Sequence, residues 1–428
     1  MIEKSSTGIS RRDFLKSTAV ASAAAATVGI ARPGYVAESG PLRMGVIGCG
    51  GRGTNAAENA LTAGEGKDVK VVAVCDAFKD RAEGAARRLA ENKSRAVREN
   101  TAIKPEMIFS GLDGYKQLLD SDVNYVILAT PPGFRPIHFE AAINAGKQVF
   151  TEKPVASDVW GIKKFLAAAK VSEEKKLSVV AGTQRRHQRP YIDTIKKIHD
   201  GAIGKLMTGR AYWCGGPVIN MRNRPEGMPG AEFQIRDWYA FCWLSGDNIV
   251  EQHVHNLDVM NWVFGRHPVS AYASGGRSWK PREPWLGDIF DNFSVDYDYG
   301  DGVHVLSLSR HWNNADSNVS EAIVGTEKTS SGSDMADEGG INPYVQEHMD
   351  LIASIRGDGP YLNEAVQVAE STFTAILGRE SAYSGKKLSW DELLKTDLRL
   401  VPENLTLETD LPIPPVPTPG APNYNRFG

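Results

Sequence analysis

Two textures of apolar patterning divide the chain. Between residues 42 and 183, short apolar runs alternate with longer polar-faced segments: Val46-Ile47, Val69–Cys75, Tyr125–Thr130, Gln148–Phe150 and Leu177–Ala181 read as buried strands. Helices are predicted between them, at Thr54–Ala60, Lys79–Arg98, Pro136–Ala145 and Val159–Val171. Strand–helix alternation of this kind predicts an α/β domain with a doubly wound parallel sheet, whose ligands bind at the carboxyl ends of the strands. From Lys205 the texture changes. Met207–Trp213, Pro268–Ser274, Asn292–Tyr299 and Val303–Arg310 show partial alternation with β-branched and aromatic residues, the pattern of an antiparallel sheet. Residues 184–342 are therefore expected to form an α+β domain around a large open, mainly antiparallel sheet, one face on helices and one free for oligomerisation. Pro343–Ile355 and Glu364–Tyr383 predict two amphipathic helices, so that 343–400 packs back on the first domain. Six prolines between Leu411 and Pro422 make 401–428 an extended arm, free to drape over a partner subunit.

The first 37 residues have a different character. Ser10-Arg-Arg-Asp-Phe-Leu-Lys16 precedes an almost charge-free, Ala-rich run from Ser17 to Ile30, the pattern of a twin-arginine export signal. The run falls short of the ~20 strongly apolar residues that a membrane span needs. The expected destination is periplasmic or otherwise extracytoplasmic, by way of the twin-arginine machinery. Neither Ala31 nor Ala37 makes a clean cleavage site, which leaves an uncleaved anchor open. Export in the folded state would also suit a cofactor loaded in the cytoplasm and held tightly. The segment carries five basic residues against two acidic ones, so the remainder is more acidic than the whole-chain net charge of −3. A mildly acidic body without a basic stripe argues against nucleic acid as a partner. Length and 41% apolar content suit about two domains with a substantial core. Four cysteines make no disulfide scaffold, although Cys214 and Cys242 could pair in an oxidising compartment.

Candidate chemistry sits where the parallel strands end. Gly48, Gly50 and Gly53, with Gly51 and Arg52 between them, have the G-x-G-x-x-G spacing directly after a strand and before a helix. The first glycine suits a tight turn, the second close approach of a pyrophosphate, and the third close helix–strand packing: the Rossmann dinucleotide fingerprint. Asp76 closes the next strand 23 residues beyond Gly53, near the ~20 expected of a carboxylate on the adenosine ribose. A carboxylate there favours NAD and repels the 2′-phosphate of NADP. Thr130 and Pro131 end another strand beside the expected cofactor. Glu152 and Lys153 follow the next, and Pro154 keeps Lys153 out of helical backbone space, aiming it across the strand ends. Gln184, Arg185 and Arg186 lie at the domain junction, either beside cofactor and substrate or in a salt-bridged hinge. The irregular stretch from Trp213 to Tyr239 holds Arg222, Arg224, Arg236 and Trp238, either a carbohydrate pocket or a packed loop. In Ile249–Trp262, Glu251, His255 and Asp258 recur at i, i+4 and i+7 and should share a helical face. His255 can take a hydroxyl proton as hydride leaves the same carbon, with Glu251 orienting it. Glu251, His253 and His255 have a permissible metal spacing, but no further ligand cluster accompanies them, and no metal is expected.

These motifs resemble the glucose-fructose oxidoreductase, inositol dehydrogenase and rhizopine-catabolism family, Gfo/Idh/MocA. The resemblance is carried by the Gly-rich turn, Ala-Thr-Pro at 129–131, Ala-Gly-Lys at 145–147, Glu-Lys-Pro at 152–154, Gly-Ala-Ile-Gly at 201–204 and Ser-Ala-Tyr-Ser-Gly at 381–385. It implies that Lys153 takes part in proton transfer and contacts both cofactor and substrate. It also implies substrate contacts from Arg186, His255 and Asp258, cofactor contact from Gln184, and a homodimer or homotetramer; Trp238, from the irregular stretch, and His253, beside His255, are expected at the substrate pocket on their own positions. The chain departs from the family in Glu251, where Asp is usual, and in His253, where Gly is usual. The expected activity is NAD(P)-dependent oxidation of a secondary hydroxyl of a sugar, cyclitol or glycoside. Three alternatives stand beside it: an oxidoreductase that recycles a tightly bound nucleotide, glycoside cleavage or epimerisation by transient oxidation, and a non-catalytic nucleotide sensor.

Overall fold

The computed structural model describes residues 40–218, 222–279 and 286–421; the expected export signal lies outside the described residues. The first half follows the alternation of its sequence: β1 (Leu42–Ile47), α1 (Gly51–Ala63), β2 (Val69–Asp76), α2 (Lys79–Ala90), α3 (Arg95–Glu99), β3 (Ile108–Ser110), α4 (Gly114–Asp120), β4 (Tyr125–Leu128), α5 (Arg135–Asn144), β5 (Gln148–Thr151), α6 (Val159–Glu174), β6 (Val179–Ala181) and α7 (Arg189–His199). Six strands pair in the order β3-β2-β1-β4-β5-β6, all parallel. Strand order reverses between β1 and β4, and that is where a doubly wound sheet opens a crevice at its carboxyl edge. The single helix expected over Lys79–Arg98 is two. Asn92 accepts a hydrogen bond from the Ser94 backbone N–H at 2.9 Å, a local turn that competes with helix continuation. β3 escapes the sequence because it is only three residues long.

The second half continues with β7 (Leu206–Gly215), α8 (Gly230–Arg236), α9 (Cys242–Ser245), α10 (Asn248–Glu251), α11 (Val254–Phe264), β8 (Ser270–Gly276), β9 (Asn292–Asp298), β10 (His304–His311), β11 (Asn318–Gly325), β12 (Thr329–Ser330), α12 (Pro343–Arg356), α13 (Ala365–Ser384), β13 (Leu388–Ser389) and α14 (Trp390–Lys395). Its strands form one sheet in the order β12-β11-β7-β10-β9-β8-β13, antiparallel except for the β7–β10 pair. β11 was hidden in the sequence by Glu321, a carboxylate at an inward position. It is buried there because Tyr191 and Asn256 donate hydrogen bonds to it and Arg185 pairs with it.

α13 corrects an expectation. It is not amphipathic: nearly every residue from Ser371 to Ser384 is buried, because the helix runs through the core, packed on α6 and on β8 and β9. Even Arg379 and Glu380 are sealed in, paired at 2.7 Å. α12 lies against α1. The proline-rich arm is extended, as its composition demands, but it lies along its own chain: Leu411 and Ile413 pack on a cluster with Phe233, Phe241 and Trp243. Cys214 and Cys242 are not joined in a disulfide.

Candidate active site

A cleft of about 500 Å³ opens at the carboxyl ends of β1, β2, β4 and β5, closed on its other side by residues between Ile235 and His255 and by Tyr344. A volume of that order suits a small-molecule site. One wall is the glycine turn, and its three glycines do three different things. Gly48 has φ +99°, and a Cβ there would sit 2.5 Å from the backbone of Ala129 and Thr130. At Gly53 a Cβ would meet the Gly48 carbonyl at 1.9 Å, so only glycine lets α1 pack this close to the turn. A Cβ at Gly50 or Gly51 would meet nothing within 4 Å; it would project into open space. The first turn of α1 has no side-chain cap and no acidic residue. Its N–H donors and helix dipole are thus available to an anion. These features fit a dinucleotide pyrophosphate.

Asp76 lines the same cleft from the end of β2. Its carboxylate accepts the Cys49 N–H at 2.8 Å and the Phe78 N–H at 3.0 Å. Burial raises its pKa, while these bonds and Arg81 act the other way. Two of its four lone-pair sites are used, leaving acceptors for ribose hydroxyls. Thr130 and Pro131 also line the cleft. They are held by Arg135, a buried guanidinium that donates to the carbonyls of Thr130 and Pro154.

The other end carries the acid–base groups. Lys153 Nζ lies 3.0 Å from Glu251 Oε1 and also donates to the Glu251 backbone carbonyl. That second bond explains a departure from expectation. In a continuous helix the Glu251 carbonyl would accept the His255 N–H; here Lys153 occupies it, and His255 N–H turns to Gln252 at 3.3 Å. α10 ends at Glu251, and α11 begins anew at Val254. Glu251, expected to orient His255, has both carboxylate oxygens committed elsewhere, to Lys153 and to Gln252 Nε2.

His255 lines the cleft with its ring beside Trp213, centroids 5.8 Å apart. Burial, then the positive charges of Lys153, Arg185 and Arg52, hold its pKa well below the ordinary 6.5, so the imidazole is neutral. His253 is also neutral, but it does not reach the cleft: fully buried, it bonds Ser307 Oγ at 2.7 Å on β10. Asp258 and Arg186 are likewise absent from the cleft lining. Arg186 grips Asp258 with two nitrogens at 2.9 and 3.0 Å, Ser371 adds a third bond at 2.7 Å, and the guanidinium lies 5.0 Å over Trp262. At this junction the structure shows a salt-bridged clasp between Arg186 and Asp258. Gln184 stands on a short 3₁₀ turn outside the lining. Trp238 does line the cleft. Arg52 and Glu152 line it as well, but they bond each other, and Arg52 also reaches Glu347 at 3.1 Å.

Sequence reasoning missed Arg135, Gln252 and Tyr344. Tyr344 comes from α12 and lies under the Arg52 guanidinium at 4.9 Å. No motif announced it, since its partner Arg52 lies about two thirds of the chain away in sequence. Among the described residues, no group of three or more His, Cys, Asp or Glu side chains is placed to hold a metal ion. No described helix is long and apolar enough to cross a membrane.

Residues 42–180 match the sequence model of the oxidoreductase family with an NAD-binding Rossmann fold, GFO_IDH_MocA. Residues 8–28 match that of the twin-arginine translocation signal. The chain is 26% identical over 260 residues to a scyllo-inositol 2-dehydrogenase (NAD(+)) of Bacillus subtilis, covering 60% of this chain and 65% of the relative. It is 30% identical over 222 residues to a glycosyl hydrolase family 109 protein of Streptomyces coelicolor, covering 47% and 44%. The matches thus span less than two thirds of these relatives' own lengths. In fold, the chain is similar to myo-inositol 2-dehydrogenase from Lactobacillus plantarum, with a TM-score of 0.62 and 21% identity over 82% of this chain and 99% of the other. The scyllo-inositol dehydrogenase of Lactobacillus casei, solved with NAD(H) and scyllo-inositol, gives 0.62 and 18% over 82% and 99%. At that identity the likeness establishes the fold. The family match over residues 42–180, where the glycine cradle sits at the switch point of the parallel sheet, places this nucleotide-binding domain in the Gfo/Idh/MocA oxidoreductase family, behind a twin-arginine export signal.

Proposed function

We propose that the cleft oxidises a secondary hydroxyl of a sugar or cyclitol. The observation that carries this reading is the placement of His255, the Lys153–Glu251 pair and the glycine turn around one cleft. NAD bound there would supply the hydride acceptor. Gly48, Gly50, Gly51 and Gly53 would hold its pyrophosphate, Asp76 its adenosine ribose, and Thr130 and Pro131 the passage toward the nicotinamide. His255 accepts the proton of the substrate hydroxyl, which its neutral ring can do without first losing one. Lys153 donates a hydrogen bond to the oxygen on which negative charge develops, and Glu251 and Gln252 fix the position of that ammonium. Glu251 is thus a positioning residue for Lys153.

The inositol dehydrogenases among the relatives support a ring polyol as substrate. The family 109 relative favours a second reading, in which transient oxidation leads to glycoside cleavage. The export signal supports action in the periplasm. Tyr272 and Leu306, 62% and 41% exposed on the outer face of the second sheet, support a homo-oligomer formed through that face. The test is nicotinamide absorbance at 340 nm, with NAD and a panel of inositols, monosaccharides and glycosides. A sustained rise that disappears in Lys153→Ala supports the dehydrogenase. Cleavage of a glycoside without net reduction supports the second reading, and neither outcome on any compound overturns both.

A further inference from the structure

The β1–β2 end of the cleft, where Asp76 would hold the adenosine ribose, has a roof. Phe78 and Arg81, just beyond β2, and Gly111 and Leu112, just beyond β3, line one side; Ile235 and Trp238, from the α8 region, line the other. The two sides are latched. The Arg236 guanidinium stacks on the Phe78 ring at 3.7 Å, comes within 3.6 Å of Asp80, and is held from behind by Glu232 at 2.8 Å. Arg81 donates to the Arg236 backbone carbonyl at 3.2 Å.

The roof is itself tied down by the C-terminal arm. The arm starts from a fixed point, where Asp158 accepts the N–H groups of Leu400 at 2.6 Å and Val401 at 3.3 Å. It then runs over α8. The Ala231 N–H donates to the Thr409 carbonyl at 2.9 Å, Gln234 donates to the carbonyls of Leu411 and Pro412 at 3.1 Å, and Arg224 pairs with Asp410 at 2.8 Å. The fit leaves no slack at Gly230, where a Cβ would stand 2.1 Å from the Leu411 carbonyl oxygen. Leu405, Leu407, Leu411 and Ile413 pack into the same apolar cluster as Phe78, Phe233, Ile235 and Trp243, which spans the wall, the roof and the arm.

We propose that this strapped roof is part of the nucleotide site and retains the nucleotide through many turnovers: adenosine cannot leave until the Arg236 latch opens and α8 lifts against the arm. The proposal rests on the reading of the cleft as an NAD site. Its test loads the full chain with NAD, removes free nucleotide by gel filtration, and follows exchange of the retained nucleotide against excess fluorescent etheno-NAD. The wild type should retain about one equivalent and exchange it over many minutes. Arg236→Ala, and separately the double variant Arg224→Ala, Asp410→Ala at the outer edge of the arm, should each exchange at least ten-fold faster. Deleting the arm would remove the packing under the roof as well as the strap, so the point variants decide. A wild type that binds NAD but exchanges it within the mixing time, or variants that exchange at the wild-type rate, would overturn the retention proposal and leave the NAD site standing. Failure to take up NAD at all would overturn the site and the proposal together.

Discussion

Two cation–carboxylate pairs, Lys153–Glu251 and Arg186–Asp258, take their carboxylates from the same stretch of chain, residues 249–262; Lys153, Glu251 and Asp258 are buried and Arg186 is half-buried. They differ in what surrounds the charges. The Arg186 fork is used bidentately and stacked, and Asp258 receives a further hydroxyl; a pair so fully satisfied is a fastener. Lys153 is a single ammonium on a flexible stem, shared between a carboxylate and a carbonyl, with the cleft beside it. Such a group can exchange a partner for a substrate oxygen. Identity of residue type therefore said little about role, and access to the cleft said most.

Substitution should separate the two. Lys153→Ala should lower kcat per folded molecule by ~10²–10³, the usual worth of a donor to developing negative charge, on top of the stability lost by leaving Glu251 without its countercharge. Arg186→Ala should leave Asp258 buried without its countercharge, a loss of about 3–5 kcal/mol, while turnover per folded molecule persists. Thermal melting beside steady-state kinetics reads both. An Arg186 variant that folds normally but turns over a hundred-fold more slowly would erase the distinction.

The two histidines sharpen the same contrast over a distance of two residues. His255→Asn should cost ~10²–10⁴ in kcat. His253→Ala removes the partner of Ser307 Oγ beneath the sheet, and should cost ~1–3 kcal/mol of stability with kcat within about two-fold. The glycines make a third pair. Gly53→Ala forces a backbone clash with the Gly48 carbonyl and should destabilise the fold by ~1–3 kcal/mol. At Gly50, φ is −68° and the space is open, so alanine should fold normally. It should nevertheless weaken NAD binding by at least ten-fold in calorimetry, because the added methyl stands where the pyrophosphate would approach. Equal NAD affinity in Gly50→Ala and the wild type would move the phosphate elsewhere.

The sequence made some of this legible and left the rest in tertiary contacts. The parallel strands, the glycine turn, Asp76 and Lys153 could be read because each depends on local order: a strand, then a turn, then a residue at the strand's end. The 249–262 stretch looked like one helix because its residue types permit one; it breaks where Lys153, about a hundred residues earlier, takes the Glu251 carbonyl. β11 was obscured by Glu321, whose partners lie on α7 and α11 and in the turn before α7. Arg186, His253 and Asp258 were expected at the substrate from motif position, which does not say which way a side chain faces; all three stand outside the cleft lining. Nor could composition tell an arm that crosses to a partner from one that binds its own α8.

The smallest effect near neutral pH concerns a histidine with the opposite electrostatics from His255. His187, in the turn after β6, lies between Asp350 of α12 at 2.7 Å and Glu364, just before α13, at 3.2 Å. Burial alone would lower its pKa; the charge of Glu364 and the bonds to Asp350 and Glu364 outweigh that and raise it to about 10. The folded state therefore holds a proton that the unfolded chain releases near 6.5. The stability this contributes is complete below pH ~6.5 and declines as pH rises, until it is lost above about 10. Melting temperatures between pH 6 and 11 should fall more steeply for the wild type than for His187→Gln, whose neutral amide has no proton to lose. Around pH 7 the contribution is still nearly whole, so activity there should be insensitive to small pH changes through this group. Parallel slopes for the two proteins would mean that the Asp350–His187–Glu364 bridge carries no linked proton.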